Sequence, residues 1–276
     1  MTGLPLALRL VLGAVLLTAL PSPLVLADPG QTPPSSGIFG KDDRVAVDCT
    51  AWPWQAIGLV QRKIGGACTG TLIATNVVLT AGHCLFDQRS GRPLEAAEVR
   101  FLAGYRNGQF IASSLGAGIV RTSDRHGQRA PTINDMATDW ALVVLRDPIP
   151  VRPIPLRPLP EGAGKPGSPG QVSVARAGYS EDRPTTLSVD PDCRILNRDP
   201  ADRFLFTDCD TLKGDSGSPL LHGDGKAVTV VGVTSGLITA DNGRPGSVVV
   251  YAGSILPRVS GLKVPGTGTP ILRGGE

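Results

Sequence analysis

The stretch KGDSGSP, residues 213–219, places Ser216 between two glycines and directly before the apolar pair Leu220-Leu221. Glycine permits tight backbone turns that direct several N–H groups toward one point. A hydroxyl becomes a useful nucleophile when a base removes its proton and N–H groups stabilise the oxyanion. The stretch therefore indicates a nucleophilic serine, although a plain turn before a strand has the same composition.

The composition of the chain points to an all-β protein. Of its 276 residues, 41% are hydrophobic, which is enough to build a core. Glycine (35) and proline (25) are abundant and long helical patterns are scarce, so short strands joined by turns are expected. The net charge of +3 is too small to indicate nucleic acid as a partner.

Residues 1–27 have the pattern of a secretory signal peptide. Arg9 precedes an apolar run, and Val25-Leu26-Ala27 resembles a small-x-small cleavage site. A membrane anchor is the alternative, but prolines interrupt the apolar stretch and it is short for a span. We therefore expect an exported, extracellular or periplasmic protein, monomeric and without stable membrane association.

Short apolar runs follow along the chain, separated by Gly, Asn, Asp or Pro. This spacing is typical of a sandwich or barrel, not of βαβ units. One series runs from Ala56 to Leu145 and a second from Gln171 to Tyr251. The proline-rich stretch 147–170 cannot be a central strand and is the best candidate for an interdomain connection.

The predicted organisation has five parts. Residues 28–37 are a flexible leader or short pro-segment, and residues 263–276 are a frayed tail. Residues 38–150 form the N-terminal β-domain and residues 151–262 the C-terminal one.

Three histidines are candidates for the base that activates Ser216. His126 lies in a charged, turn-rich stretch and His222 precedes Gly-Asp-Gly, so both are expected to be solvated loop residues. His83 ends the segment Thr80-Ala81-Gly82-His83, directly after an apolar run and beside a cysteine. Its position makes it the natural general base for a serine.

Such a base needs a carboxylate to orient it. Asp139 begins the strand DWALVVL, where burial would hold it rigidly against an imidazole. Asp135 and Asp147 are alternatives, the first less tightly tied to the strand and the second more suited to a turn before proline. The chain order is then His, Asp, Ser, as in chymotrypsin-like enzymes.

Three blocks carry a family resemblance: CTGTLIATNVVLTAGHC (68–84), DWALVVL (139–145) and CDTLKGDSGSPLL (209–221). The chain resembles the trypsin-like serine proteases of the chymotrypsin clan, with the bacterial and glutamyl-endopeptidase-like branch as near as the digestive enzymes. The resemblance covers roughly residues 38–260. It implies two six-stranded antiparallel β-barrels with the active site in the cleft between them.

The resemblance also implies a role for each site residue. Ser216 would be the nucleophile, His83 the general base and then acid, and Asp139 its orienter. The backbone N–H groups of Gly214 and Ser216 would form the oxyanion hole. Ser235 would lie at the start of the strand beside the substrate backbone, where an extended peptide can pair.

The residues that set specificity depart from the family pattern. Asp210 lies six residues before Ser216, the offset of the trypsin specificity aspartate, which would favour Arg or Lys substrates. However, Cys209 is shifted from the trypsin position, which undermines that alignment and favours a structural loop aspartate. Glutamyl-specific relatives carry a histidine where this chain has Thr234, which argues against preference for acidic residues.

Asp215 raises the question of activation. In trypsins the corresponding acid pairs with a new N-terminal amine, and Ile38-Phe39-Gly40 resembles the mature N-terminus of the family. Gly37 precedes it, so no tryptic activation site is present. Either cleavage before Ile38 supplies the amine, or Asp215 pairs with an internal base such as Arg44.

Five cysteines in an exported chain favour disulfides and leave at least one thiol unpaired. The resemblance implies a disulfide between Cys68 and Cys84, and Cys193 and Cys209 bracket a hairpin where they are expected to pair. Cys49 remains, as a buried thiol or an intermolecular link. No metal or other cofactor is expected.

The sequence thus predicts a secreted serine endopeptidase that acts on polypeptide substrates through an acyl-enzyme. Two alternatives stay open: a non-catalytic, protease-like binding module, and an esterase on the same scaffold.

Overall fold

The computed structural model describes residues 37–122, 131–165, 172–240, 243–261 and 263. These residues form thirteen β-strands, two α-helices and four short 3-10 turns. The strands are β1 Val45–Ala46, β2 Ile57–Arg62, β3 Ala67–Ala74, β4 Val77–Thr80, β5 Val99–Ala103, β6 Ala112–Arg121, β7 Ala141–Leu145, β8 Ser173–Gly178, β9 Ser188–Arg198, β10 Phe204–Thr207, β11 Pro219–His222, β12 Thr229–Thr239 and β13 Pro245–Tyr251. The helices are α1 Ile133–Met136 and α2 Ala252–Val259.

Strands β2 to β7 close into a six-stranded antiparallel barrel with the order β2-β3-β4-β7-β6-β5. Val78 pairs with Val143 and Leu79 with Leu142, so the centre of the barrel is built from branched aliphatic residues. All five residues of β7 are buried. Closure removes unpaired strand edges, and it brings the end of β4 beside the start of β7.

The second barrel contains β8 to β13. Its sheet has the order β1-β9-β10-β13-β12-β11-β8, and a further pairing between β9 and β8 closes the ring. A separate apolar cluster fills it, with Val174, Leu205, Leu220 and Val231 among the buried residues. The predicted fold of two six-stranded antiparallel barrels is confirmed.

Two strands contain irregularities that the sequence did not indicate. Strand β6 continues through a bulge between Gly116 and Gly118. Strand β9 was missed because it contains Pro191. The pairing of β8 with β9 shifts register at this proline, and a bulge needs no ladder N–H there.

The proline-rich connection is packed against both barrels. Ile154 N donates to Leu72 O of the first barrel at 2.9 Å, and Val230 N of the second donates to Pro155 O at 2.9 Å. Ile154 and Leu156 are buried. The described part of this segment is therefore a hydrophobic connection held by backbone bonds, not a free linker.

The segment before the first barrel belongs to the second. Val45 of β1 pairs with Val189 of β9, and Thr211 N donates to Gly37 O at 2.7 Å. The boundary at residue 38 placed this segment in the N-terminal barrel, but local sequence carries no signal for such a long-range pairing.

Among the described residues, none of the helices has the length and apolar character needed to cross a membrane.

Candidate active site

His83 lies just after β4, on the 3-10 turn Gly82–Leu85. A disulfide between Cys68 and Cys84 ties this turn to β3. The side chain of His83 is 29% exposed. The imidazole is thus held in place by the framework and remains partly exposed to solvent.

Asp139 lies just before β7 with its side chain only 4% exposed. Its Oδ2 is 2.6 Å from His83 Nδ1, and its Oδ1 accepts the backbone N–H of His83 at 2.7 Å. Ser235 Oγ donates to Oδ2 at 2.6 Å. The carboxylate therefore orients the histidine through both its ring and its backbone.

The two alternative acids lie elsewhere. Asp135 caps α1, accepting the backbone N–H of Thr132 at 2.8 Å. The backbone N–H of Asp147 donates to Ser114 Oγ at 2.9 Å. Asp139 is thus the candidate carboxylate that contacts His83.

Burial and charge act in opposite directions on His83 and Asp139. Burial by itself lowers the pKa of His83, but the negative charge and hydrogen bond of Asp139 outweigh it, so the pKa lies above its ordinary value. For Asp139, burial raises the pKa, and the hydrogen bonds and charge of His83 bring it below the ordinary range. The carboxylate is therefore ionised at neutral pH.

Ser216 lies where the two barrels meet. Its carbonyl O accepts the N–H of Thr69 in β3 at 3.0 Å, while Gly217 N donates to Thr234 O in β12 at 2.8 Å. The same carbonyl O is 3.9 Å from Cys84 Sγ, next to His83. In the part of the chain that the structure describes, no hydrogen bond joins the Ser216 hydroxyl to His83, whose Nδ1 faces Asp139.

The backbone N–H groups of Gly214 and Ser216 follow peptide carbonyl groups that are held by hydrogen bonds. Lys213 O accepts Glu181 N at 2.7 Å, and Asp215 O accepts Ser218 N at 2.8 Å. In a trans peptide the C=O and the following N–H point in opposite directions, so both N–H groups face away from these anchors. Gly214 has φ +92°, and a Cβ there would collide with Tyr179 O, so this turn requires glycine.

Asp215 is fully buried and carries three hydrogen bonds. Arg176 Nη1 donates to its Oδ1 in a buried ion pair. Ser180 Oγ and Leu212 N both donate to its Oδ2, at 2.8 Å and 2.9 Å. The turn that carries Ser216 is therefore anchored from within the uncleaved chain.

The internal-base hypothesis holds for Asp215 with Arg176 as the base in place of Arg44, and cleavage before Ile38 stays a prediction. The backbone of Ile38-Phe39 lies by Asp210, where Phe39 N donates to Oδ1 at 2.7 Å, and not by Asp215. Arg44 binds Asp42 and Asp182, and it reaches Asp215 only through Ser180 Oγ, at 3.1 Å. The sequence interpretation missed Arg176, since an arginine inside an apolar strand gives no sign of its partner.

Ser235 and Thr234 of β12 form hydrogen bonds with other parts of the candidate site. The Ser235 hydroxyl supports Asp139, a role that the sequence interpretation did not include. Both backbone groups of Thr234 bind the Ser216 turn, with its N–H donating to Ser218 O at 2.8 Å. Its hydroxyl is buried without a hydrogen-bond partner among the described residues.

Asp210 lies beside Asp190, and both residues are buried. Its own N–H donates to Asp190 Oδ2 at 2.8 Å, and its Oδ2 is 4.0 Å from Arg44 Nε. Burial raises the pKa of both carboxyls, that of Asp190 to about 6. One oxygen of Asp210 is held by Phe39, and its role in specificity stays a prediction.

The remaining predicted residues have structural surroundings. The second disulfide joins Cys193 to Cys209, and both pairs are those expected from the sequence. Cys49 is free and buried, with its thiol donating to Gly104 O at 3.3 Å. His222 lies at the end of β11, with Nδ1 3.3 Å from Ser173 O, whereas His126 falls outside the described residues.

The trypsin family model matches residues 44–257. The chain therefore belongs to the trypsin family, and the resemblance noted in the sequence is confirmed. It is 43% identical over 65 residues to a glutamyl endopeptidase of Bacillus licheniformis, a match that covers 23% of this chain and 20% of that protein. It is 30% identical over 171 residues to serine protease 23 of Rattus norvegicus, covering 56% and 43% of the two chains.

A solved structure of Glu endopeptidase in complex with MPD is similar in fold, with a TM-score of 0.62 at 21% identity, covering 79% of this chain and 95% of that one. Protease Anisep from Arthrobacter nicotinovorans gives a TM-score of 0.53 at 18% identity, covering 75% and 93%. The matches span less than half the length of the two curated relatives.

Proposed function

We propose that this chain is a secreted serine endopeptidase with Ser216 as nucleophile. His83 takes the hydroxyl proton, the Ser216 oxygen attacks the peptide carbonyl, and the C–N bond breaks as His83 returns the proton to the leaving amine. Water then hydrolyses the resulting ester by the same route. Asp139 holds the imidazole in the tautomer that accepts a proton at its free nitrogen.

The observation that carries this proposal is the contact of His83 with a buried carboxylate. Asp139 binds both the ring and the backbone of His83 and is itself held by Ser235. Such a carboxylate fixes the ring and stabilises the imidazolium that forms during proton transfer. A structural ion pair at the protein surface would not need three short bonds to one buried acid.

The N–H groups of Gly214 and Ser216 are assigned as the donors that stabilise the oxyanion. Their peptide planes are fixed by carbonyl bonds to Glu181 and Ser218, so the donors need no reorganisation during the reaction. Loss of one such donor typically lowers the rate by ~10²–10³. The Arg176–Asp215 pair supports the same turn, so activity is expected without cleavage before Ile38.

An extended substrate would pair along β12. The pairing of β11 with β12 ends at the pair formed by Pro219 and Val233. From Ser235 onward β12 is paired with β13 on one side, through Gly236 and Val248. The other edge of this segment can accept a peptide as an added strand.

A fluorophosphonate probe tests the proposal. Wild-type protein should be labelled at Ser216, and the variants Ser216→Ala and His83→Ala should lose labelling. Ser218→Ala is the matched control, since Ser218 is two residues away in the same turn and is expected to leave labelling intact. Absence of labelling in folded wild-type protein would instead support the binding-module alternative.

Two further measurements separate the remaining alternatives. Turnover of an ester but of no peptide would support an esterase. Cleavage of a peptide library also tests Asp210, because an acid at the pocket floor should select Arg or Lys, and Asp210→Asn should remove that selection. No selection for basic residues would leave Asp210 as a structural residue.

Export from the cell and a monomeric state are parts of the same proposal. Two disulfides support an oxidising compartment. Mass spectrometry of secreted protein tests the expected cleavage after Ala27, and light scattering tests the monomer. An N-terminus at Met1 in the exported protein would contradict the signal peptide.

A further inference from the structure

Arg62 ends β2 at the hairpin that leads to β3. Its backbone N–H donates to Gly66 O at 3.2 Å. Gly66 has φ +74°, and a Cβ on it would collide with Nη2 of Arg62. Glycine at this position thus lets the guanidinium lie against the hairpin backbone.

The charge of Arg62 has no close counter-ion among the described residues. Its Nε is buried without a hydrogen-bond partner, and burial lowers its pKa while Asp87 raises it only through long-range attraction. The carboxylate of Asp87 is occupied by Ser90 Oγ at 2.7 Å and Arg89 N at 3.0 Å. A half-buried arginine with free donors is suited to a planar acidic group.

Arg62 lies on the disulfide side of His83. Val60 pairs with Cys68 across the hairpin, and side chains two residues apart on a strand share a face, so Arg62 lies on the face of the sheet that carries Cys68. The positive charge of Arg62 acts on His83 and opposes the effect of Asp139 on its pKa.

The direction in which a substrate would bind places the residues after the scissile bond on the side of the hairpin that carries Arg62. Ser216 lies between β12, bound through Gly217, and β3, bound through Thr69. The residues before the scissile bond are assigned to β12, so those after it lead toward β3 and the hairpin. Arg62 also lines a cavity of about 420 Å³ together with Lys63, Arg100 and Glu98, and the carboxylate of Glu98 is already paired with Arg92.

We infer that Arg62 binds a carboxylate in the first two residues after the scissile bond. The inference rests on the proposed endopeptidase function and adds selection on the leaving side of the substrate. The carboxylate can be an Asp or Glu side chain or the C-terminus of a short substrate. Both offer two coplanar oxygens to a guanidinium.

Acyl transfer tests this side of the site alone. A nitrophenyl ester acylates Ser216, and an added amine then competes with water for the acyl group. The amine nitrogen forms a new C–N bond, the Ser216 ester bond breaks, and the proton returns to the serine through His83. The ratio of amide to acid product reports how well each amine binds.

The amines are aspartic acid α-amide and asparagine amide, which differ only in the carboxylate. Wild-type acyl-enzyme should prefer the aspartyl amine by roughly tenfold, as for a hydrogen bond to a charged group. The preference should weaken at high salt and disappear in Arg62→Gln. Arg146→Gln, the control at an exposed arginine outside this cavity, should keep it, and Arg62→Lys should keep part of it.

A second pair of amines distinguishes the two sources of the carboxylate. Selection of glycylglycine over glycylglycine amide points to a C-terminal carboxylate, and selection only in the first pair points to a side chain. Equal partitioning of both pairs by the wild type, or a preference retained by Arg62→Gln, overturns the inference. If no acyl-enzyme forms, the proposed function fails first and this inference falls with it.

Discussion

Asp139 is held by three donors from two parts of the chain. The His83 ring and backbone come from the first barrel, and Ser235 comes from β12 of the second. A buried carboxylate needs such bonds, because an unpaired charge in an apolar environment costs several kcal/mol. The geometry of His83 therefore depends on both barrels.

Ser235→Ala should lower kcat by roughly 10- to 100-fold, the loss of one hydrogen bond to a buried charge. KM should change little if Ser235 acts through Asp139, and labelling by a fluorophosphonate should slow in parallel. Ser254→Ala is the control, since Ser254 Oγ donates to Tyr251 O at 2.8 Å on α2, away from the site. An unchanged kcat in Ser235→Ala would contradict the positioning role.

The pH profile follows from the pKa of His83. Its pKa is raised above the ordinary 6.5, and only neutral imidazole accepts a proton, so kcat/KM should rise with pH through a midpoint above 6.5. In Asp139→Asn, burial and Arg62 both lower the pKa, and the midpoint should move below the wild-type value while kcat falls by ~10⁴. A midpoint that does not move would contradict the coupling of the two residues.

Protonation of His83 also affects stability. A histidine with a raised pKa in the folded state stabilises the fold fully at pH values below its unfolded pKa, and this contribution is lost as the pH rises through the folded pKa. His83 is therefore expected to contribute most to the stability of the fold at low pH, where the enzyme is least active.

At the scale of elements, the turn between β10 and β11 is anchored by a buried ion pair. Arg176→Met removes the cationic partner of the buried Asp215, which should reduce the free energy of unfolding by about 3–5 kcal/mol. Urea unfolding measures this change. Arg194→Met is the control: this exposed arginine pairs with Asp208, and its loss should cost less than about 1 kcal/mol.

Local motifs allowed His83 and Ser216 to be predicted, because each lies in a short stretch with its own chemical pattern. Asp139 was found because it begins an apolar strand. Arg176 and Ser235 were not assigned their roles, since each acts through a partner distant in sequence. Strand β9 was missed for a related reason: Pro191 disfavours a strand until the partner strand supplies a bulge.

At the scale of the molecule, the connection around Ile154 couples the barrels. Ile154 is fully buried and bonds to β3, while its neighbour Pro155 bonds to β12. Ile154→Ala should reduce stability by ~2–5 kcal/mol, and unfolding should remain one transition by fluorescence and circular dichroism. Ile111→Ala, at an exposed position, should cost much less. Two separate transitions in the wild type would contradict the coupling.

The lone thiol of Cys49 has a consequence for the lifetime of the protein. While the fold is closed, the thiol is buried and burial raises its pKa. Each full opening releases it into a chain with two disulfides, where the thiolate can attack a sulfur and scramble the pairing. Heated at alkaline pH, wild-type protein should fail to refold, whereas Cys49→Ala should recover. Its shelf life would then be governed by the rate of opening and not by the equilibrium stability.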